Sequence, residues 1–290
     1  MIRIRFAFVI WMFCLVTLSA HAADRMPPKQ HFIDMAQDQR LRLDVFEPQA
    51  GDAPRAAIVL FHGGGWSVGE ASWIHPTARL LVEQGMVAVS VEYRLSDQKT
   101  VTPFDAVADA RAAVRWVRAN AAALGVDPAR VAAGGISAGG HLAAATAVFD
   151  EPGGAPPSAR PDLLVLWSPA VAVGTDGWFT RLSGGAAQAA ALSPDRHVRA
   201  GLPPTILLQG AEDSVTPAAG ATRFCEHMRQ AGNICELVVY PGVGHLFTRN
   251  LRQQEEPDYK AIDMEIDADA DRRAIGFLQQ HGFITNPRAP

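Results

Sequence analysis

Six short apolar runs constrain this chain most: AAIVLF (56–61), MVAVSVEY (86–93), RVAAGGIS (130–137), DLLVLWS (162–168), TILLQG (205–210) and ELVVY (236–240). A strand with one solvated face alternates apolar and polar side chains. A run that is apolar at consecutive positions is instead a strand buried on both faces, as in a parallel sheet covered by helices. Helical periodicity separates the runs, over 72–84, 104–124, 138–148, 218–230 and 267–280. In the second of these, Phe104, Val107, Val114, Val117, Ala121 and Leu124 form an apolar stripe that Gly125 ends. Residues 32–47 do alternate, around a polar turn, and read as an antiparallel hairpin. Alternating β and α units with right-handed crossovers give an α/β domain: a mostly parallel, eight-stranded sheet with helices on both faces. Its ligands bind at the carboxyl edge of the strands.

The amino terminus belongs to none of this. MIRIRFAFVIWMFCLVTLSAHAADR places Arg3 and Arg5 before an apolar run, 6–18, that ends in Ala20-His21-Ala22. These are the basic, apolar and small-residue parts of a secretory signal peptide, 1–22, and the run is short for a membrane span. Cys14 lies inside the run rather than at the cleavage point, which argues against a lipoprotein. The expected product is a secreted or periplasmic protein, 23–290, forming one catalytic domain with no stable membrane insertion. Its loss of two arginines and no acids takes the formal net charge from −4 to −6. With no basic cluster, nucleic acid is excluded as a partner. Cys225 and Cys235 flank a helix end at Ala231-Gly232-Asn233. Export permits a disulfide between them, worth about 2–3 kcal/mol in the chain-entropy model. No Cys or His cluster has metal-ligand spacing, so neither metal nor cofactor is expected.

The chemistry centres on GGISAGGHLA (134–143). Gly135-x-Ser137-x-Gly139 has the spacing of a nucleophile elbow, a sharp strand-to-helix turn that exposes a serine above the sheet edge. In a chain with 25 glycines the spacing alone means little. Its position, at the end of a buried strand and the start of a helix, is what the elbow requires. A serine needs a base, and the base an orienting acid. His245, in YPGVGHLF after the last predicted strand, is the candidate base. Asp213, in GAEDSVTP after TILLQG, is the candidate acid, with Glu212 its neighbouring competitor and a helix N-cap its plainer role. Asp109 is set aside as lying on the charged side of its helix, His141 as a packing residue and His62 as a brace for its own loop. In FHGGGW (61–66), three glycines after the first core strand suit main-chain N–H groups that receive an oxyanion, with the N–H of Ala138 completing the set. Trp66, beside them, is the candidate substrate contact. Neither G-x-G-x-x-G nor a Walker lysine follows, so a phosphate cradle is not supported.

The pieces HGGGW (62–66), VEYRL (91–95), FDAVADARAAVRWV (104–117), GGISAGGHLAA (134–144), LSP (192–194), GLPPTILLQGAEDSVTP (201–217) and YPGVGHLF (240–247) occur in this order. With them the chain resembles the α/β-hydrolase superfamily, and within it the esterases of the hormone-sensitive-lipase and acetyl-xylan/feruloyl-esterase-like groups. The resemblance implies Ser137 as nucleophile, His245 as general acid/base and Asp213 as orienting acid. It also implies oxyanion donors at Gly64, Gly65 and Ala138, with Gly63 as the alternative in the glycine run. Hormone-sensitive-lipase relatives carry a sizeable helical cap before the first strands. Here about 39 residues separate Ala22 from His62 and the hairpin occupies most of them, so the cap is minimal and the cleft open. Segment 169–204, with Trp178, Phe179 and Leu182, remains as a wall. The reading is an exported serine carboxylic-ester hydrolase for short acyl esters, with acetyl or feruloyl esters of carbohydrate as the finer expectation. Its rivals are a formamidase-type amide hydrolase, since kynurenine formamidases share similar motifs, and a non-catalytic binding protein on the same fold.

Overall fold

A computed structural model describes residues 27–35, 39–48, 54–149, 157–254 and 259–285. The predicted signal peptide, 1–22, lies outside the described residues, as does most of the Pro/Gly-rich loop that opens at 151. The sheet has eight strands: β1 (Lys29–Asp34), β2 (Arg40–Phe46), β3 (Arg55–Phe61), β4 (Val87–Glu92), β5 (Val126–Ile136), β6 (Leu163–Trp167), β7 (Thr205–Gly210) and β8 (Cys235–Tyr240). Their spatial order is β1-β2-β4-β3-β5-β6-β7-β8. β1 and β2 form the antiparallel hairpin, and β2 is antiparallel to β4. Every other neighbouring pair is parallel. Of the six runs that read as continuously apolar, β3 to β7 are buried on both faces by helices, whereas β8 is not: it is the edge strand, and Val239 is 42% exposed.

On one face, α2 (Pro103–Ala119), α3 (Ala138–Val148) and α6 (Ala218–Gln230) pack on the sheet, and on the other α1 (His75–Glu83) and α7 (Met264–Gln280) do. α2 ends before the expected 124, because the Asn120 side chain turns back onto the Trp116 carbonyl and the chain leaves the helix as a turn. Its buried face is Ala106, Val107, Ala110, Ala113, Val114 and Val117, whereas Phe104, placed on the stripe by periodicity, is 43% exposed. Between β6 and β7, segment 169–204 folds into α4 (Gly177–Ser183), α5 (Ala186–Ala191) and a 3-10 turn at Pro194–Arg196. The sequence pattern gives these no helical assignment. Cys225 of α6 and Cys235 at the start of β8 form a disulfide with Cα atoms 5.5 Å apart. Among the described residues no helix is long and apolar enough to cross a membrane, and no three metal-ligating side chains cluster.

Under the sheet edge, burial and then the Asp267 carboxylate one turn away push the Asp271 carboxyl of α7 up to about 7; the Trp167 indole N–H only partly offsets this. A carboxyl raised by folding stabilises the fold while protonated. That contribution is lost as the pH climbs from the unfolded value of about 3.9 through the folded one. Asp271→Asn is therefore expected to raise Tm at alkaline pH and to change it little at pH about 4, where the carboxyl is still substantially protonated in both states. Thermal scans at both pH values check this, and an equal gain at both would rule out titration as the cause.

Candidate active site

The ladder registers bring the carboxyl ends of the parallel strands level: Phe61 of β3 faces Gly135 of β5, Ile136 faces Trp167 of β6, and Gly210 of β7 faces Tyr240 of β8. The loops that leave these ends therefore meet. Here β5 turns into α3 so tightly that only glycine fits on either side of Ser137. A Cβ on Gly139 would lie 2.0 Å from the Phe61 carbonyl oxygen, and one on Gly135 would lie 2.4 Å from the Gly139 backbone. Ser137 takes φ 54° and ψ −116°, a conformation costing about 1–3 kcal/mol in a residue with a Cβ. Its main chain is pinned: the N–H donates to the Trp167 carbonyl at 3.0 Å, and its carbonyl accepts from His141 and Ala170, each at 3.1 Å.

Strain is concentrated at this edge. Besides Ser137, positive φ angles occur at Trp66, Ser168, Leu246 and Phe247, and only Gln98 among the described non-glycine residues adopts one elsewhere. The last two follow His245 directly and turn its loop toward Ser137. The Ser137 hydroxyl lies 3.0 Å from His245 Nε2, and His245 Nδ1 donates to Asp213 Oδ2 at 2.9 Å. Asp213 is buried and saturated. Its Oδ1 accepts the main-chain N–H groups of Val215 and Thr216, at 2.9 and 2.7 Å. Its Oδ2 also accepts from Gln209 Nε2, at 2.8 Å, and from the Thr216 hydroxyl, at 2.9 Å. Asp213 thus combines two readings that the sequence left separate: it orients the histidine and caps its own turn. Glu212 points away, with its carboxylate on the Gly242 N–H at 2.9 Å.

The glycine loop after β3 arrives on the other side of the serine. A Cβ on Gly63 would stand 3.5 Å from Ser137 Cβ, so this loop borders the nucleophile directly. Gly64 and Gly65 take φ 114° and 57°. Their N–H groups, and that of Ala138 at the first turn of α3, donate to no acceptor among the described residues. The helix start adds its partial positive charge. The loop is held from below by Tyr93, whose hydroxyl donates to the His62 carbonyl at 3.0 Å while its ring stacks on the His62 imidazole. His62 Nδ1 donates to the Gly63 carbonyl, and burial holds this imidazole below its ordinary pKa, in the neutral brace form.

Two sequence expectations are corrected here. Trp66 is 5% exposed: its indole packs on Phe179 and donates to His141 Nδ1 at 3.2 Å, so it supports the cleft from within rather than touching substrate. The half-exposed indoles beside the glycines belong instead to Trp178 of α4, which donates to the Gly65 carbonyl at 3.0 Å, and to Trp73, whose ring would touch a Cβ on Gly64. Asp109 is fully buried, not on a charged face, because Arg94 returns from the loop after β4 and pairs with both its oxygens. His141 is buried; that burial lowers its pKa to about 4, and Nε2 donates to the Leu192 carbonyl at 2.8 Å. Gln209, Thr216 and Ser168, all part of the acid and base surroundings, went unread because a lone polar residue in a strand or turn carries no spacing signal.

A family model described as the alpha/beta hydrolase fold matches residues 58–249. A solved structure of a thermophilic esterase from the Planctomycetes species Thermogutta terrifontis, with propionate bound, aligns over 90% of this chain and 97% of its own, with 32% identity and a TM-score of 0.77. The same esterase phosphorylated by paraoxon aligns over 89% of this chain and 96% of its own, with 33% identity and a TM-score of 0.77. Carboxylesterase NlhH of Mycobacterium tuberculosis is 42% identical over 114 residues, which are 39% of this chain and 34% of that protein's length. The chain thus matches about a third of that curated relative.

Proposed function

The chain belongs to the α/β-hydrolase fold family, and on that premise we propose that it is an exported serine carboxylic-ester hydrolase acting on short acyl esters through an acyl-enzyme. The hydrogen-bonded series Ser137–His245–Asp213 carries the reading. Ser137 Oγ attacks the ester carbonyl carbon as His245 Nε2 takes its proton. The carbonyl oxygen, now an oxyanion, is received by the free N–H groups of Gly64, Gly65 and Ala138. His245 returns the proton to the departing alkoxide, the alcohol leaves, and the acyl group stays on Ser137. Water then gives its proton to His245 and attacks the acyl carbon, and the acid is released with the serine restored. Asp213 remains a carboxylate throughout and stabilises the imidazolium.

Short acyl groups are supported by the propionate that the Thermogutta esterase holds. The finer assignment is to acetyl or feruloyl esters of carbohydrate. In its favour, Trp73 and Trp178 offer partly exposed indole faces on either side of the oxyanion loop, and such faces suit ring-bearing substrates. Export is supported by the amino-terminal pattern and by the Cys225–Cys235 bond. The test is a hydrolysis panel on purified protein: p-nitrophenyl esters of increasing acyl length, acetylated and feruloylated xylan, and formylkynurenine. The expected result is turnover of short p-nitrophenyl esters with release of acetate or ferulate. Cleavage of p-nitrophenyl acetate alone would remove the carbohydrate assignment, and preference for formylkynurenine would make the protein an amide hydrolase. Failure of a fluorophosphonate to label Ser137 would leave a binding protein.

A further inference from the structure

We infer that Gln254 is the residue that positions base against acid, by clamping the loop that carries Asp213 to the loop that carries His245. Its catalytic consequence rests on the ester-hydrolase reading; the clamp itself rests on geometry alone. Gln254 lies on the stretch between His245 and α7, outside every motif of the sequence, and its side chain is buried. Its Oε1 accepts two main-chain N–H groups, that of Ser214 at 3.0 Å and that of His245 at 2.9 Å. Its Nε2 donates to the carbonyls of Glu212, at 3.0 Å, and Leu251, at 3.3 Å. A carboxamide has two acceptor sites and two donors, and all four are used. The opposite amide orientation would set an NH2 group against two N–H donors, so the partners fix it. One side chain therefore grips the residues on both sides of Asp213 and the backbone of His245.

The base loop is shaped to admit this amide. A Cβ on Gly244 would lie 2.3 Å from Gln254 Oε1. The loop also needs an external tether. Leu246 and Phe247, directly after His245, hold positive φ angles that such residues do not favour alone. Without the clamp, the imidazole keeps its side-chain contacts to Asp213 and Thr216 but loses the fixed backbone position that aims Nε2 at Ser137.

Gln254→Leu, close in volume but unable to hydrogen-bond, tests this in the full chain. It is expected to lower kcat for p-nitrophenyl acetate about 100-fold while KM stays within about twofold, the pattern of displaced catalytic groups with an intact binding site. It is also expected to abolish, or to broaden by water exchange, the downfield proton resonance of His245 Nδ1–H. Gln254→Glu keeps both acceptor bonds and, protonated because its second oxygen faces the Glu212 and Leu251 carbonyls, donates to one of them; it is expected to retain that resonance and to lose no more than about tenfold in kcat. A folded Gln254→Leu variant with kcat within about threefold of the parent, or with its resonance unchanged, would overturn the assignment. So would a Glu variant as impaired as the Leu variant. Should Gln254→Leu not fold, Gln254→Asn, one methylene short, takes its place with the same expected loss of resonance. The resonance needs no turnover. If the parent hydrolyses no ester yet the resonance is lost in Leu and kept in Glu, the ester reading fails and the clamp stands.

Discussion

Replacing Ser137 by alanine is expected to lower ester turnover by about five to six orders of magnitude and to leave the fold in place. The removed atom is the one that forms and breaks the acyl bond, and no neighbouring group substitutes for it: His245 lies behind it and the glycine loop offers only donors. The side chain's one hydrogen bond is to His245, so the structural loss is small. The backbone strain at φ 54° is the same for alanine, since both residues carry a Cβ. Tm within about 3 °C of the parent, together with loss of fluorophosphonate labelling, is the expected joint result. Turnover persisting well above the uncatalysed rate in a folded Ser137→Ala protein would mean that another nucleophile operates.

Asp213→Asn carries the second largest effect, expected at about four orders of magnitude in kcat. The carboxylate accepts from five donors: two main-chain N–H groups, Gln209, the Thr216 hydroxyl and His245. An asparagine that keeps its oxygen on the two main-chain donors must aim its NH2 at His245 Nδ1. The imidazole then accepts at Nδ1 and carries its proton on Nε2, where it can donate to Ser137 but cannot take the serine proton. The same NH2 faces the amide of Gln209, so stability falls as well; buried unpaired donors cost about 1–3 kcal/mol. Acylation measured in a single turnover isolates the base step from deacylation. A loss below about tenfold would move the acid role to Glu212.

Much of this was legible from residue types and their order. β3 to β7 are readable because burial on both faces removes polar alternation; Ser137 and Asp213 are readable because each follows such a strand, and His245 because it follows the apolar run of β8. Failures occurred where a side chain's environment comes from a distant segment. Asp109 reads onto the solvent side of its helix because it is charged; only Arg94, arriving from a loop, makes its burial favourable. Trp66 and Trp178 are both aromatic residues near the cleft. Which one is covered depends on how α4 docks, and that is settled by the Trp178–Gly65 hydrogen bond and by the packing of Phe179. α4 did leave a local trace, since Asp176 accepts the Phe179 N–H as an N-cap and Gly184 closes the helix at φ 87°. The helix is only seven residues long, too short for periodicity to reveal.

The three reacting side chains hang from β5, β7 and β8, and β8 is an edge strand joined to the sheet through β7 alone. A slip of one residue between these two would displace the base by about 3.3 Å, more than the length of the hydrogen bonds it must make, and would turn the strand's faces over. Turnover is thus a gauge of edge-strand register. The bond from Cys235 to α6 anchors the strand end farthest from the chemistry, so reductant is expected to lower the temperature at which turnover is lost more than the temperature at which the body of the sheet unfolds.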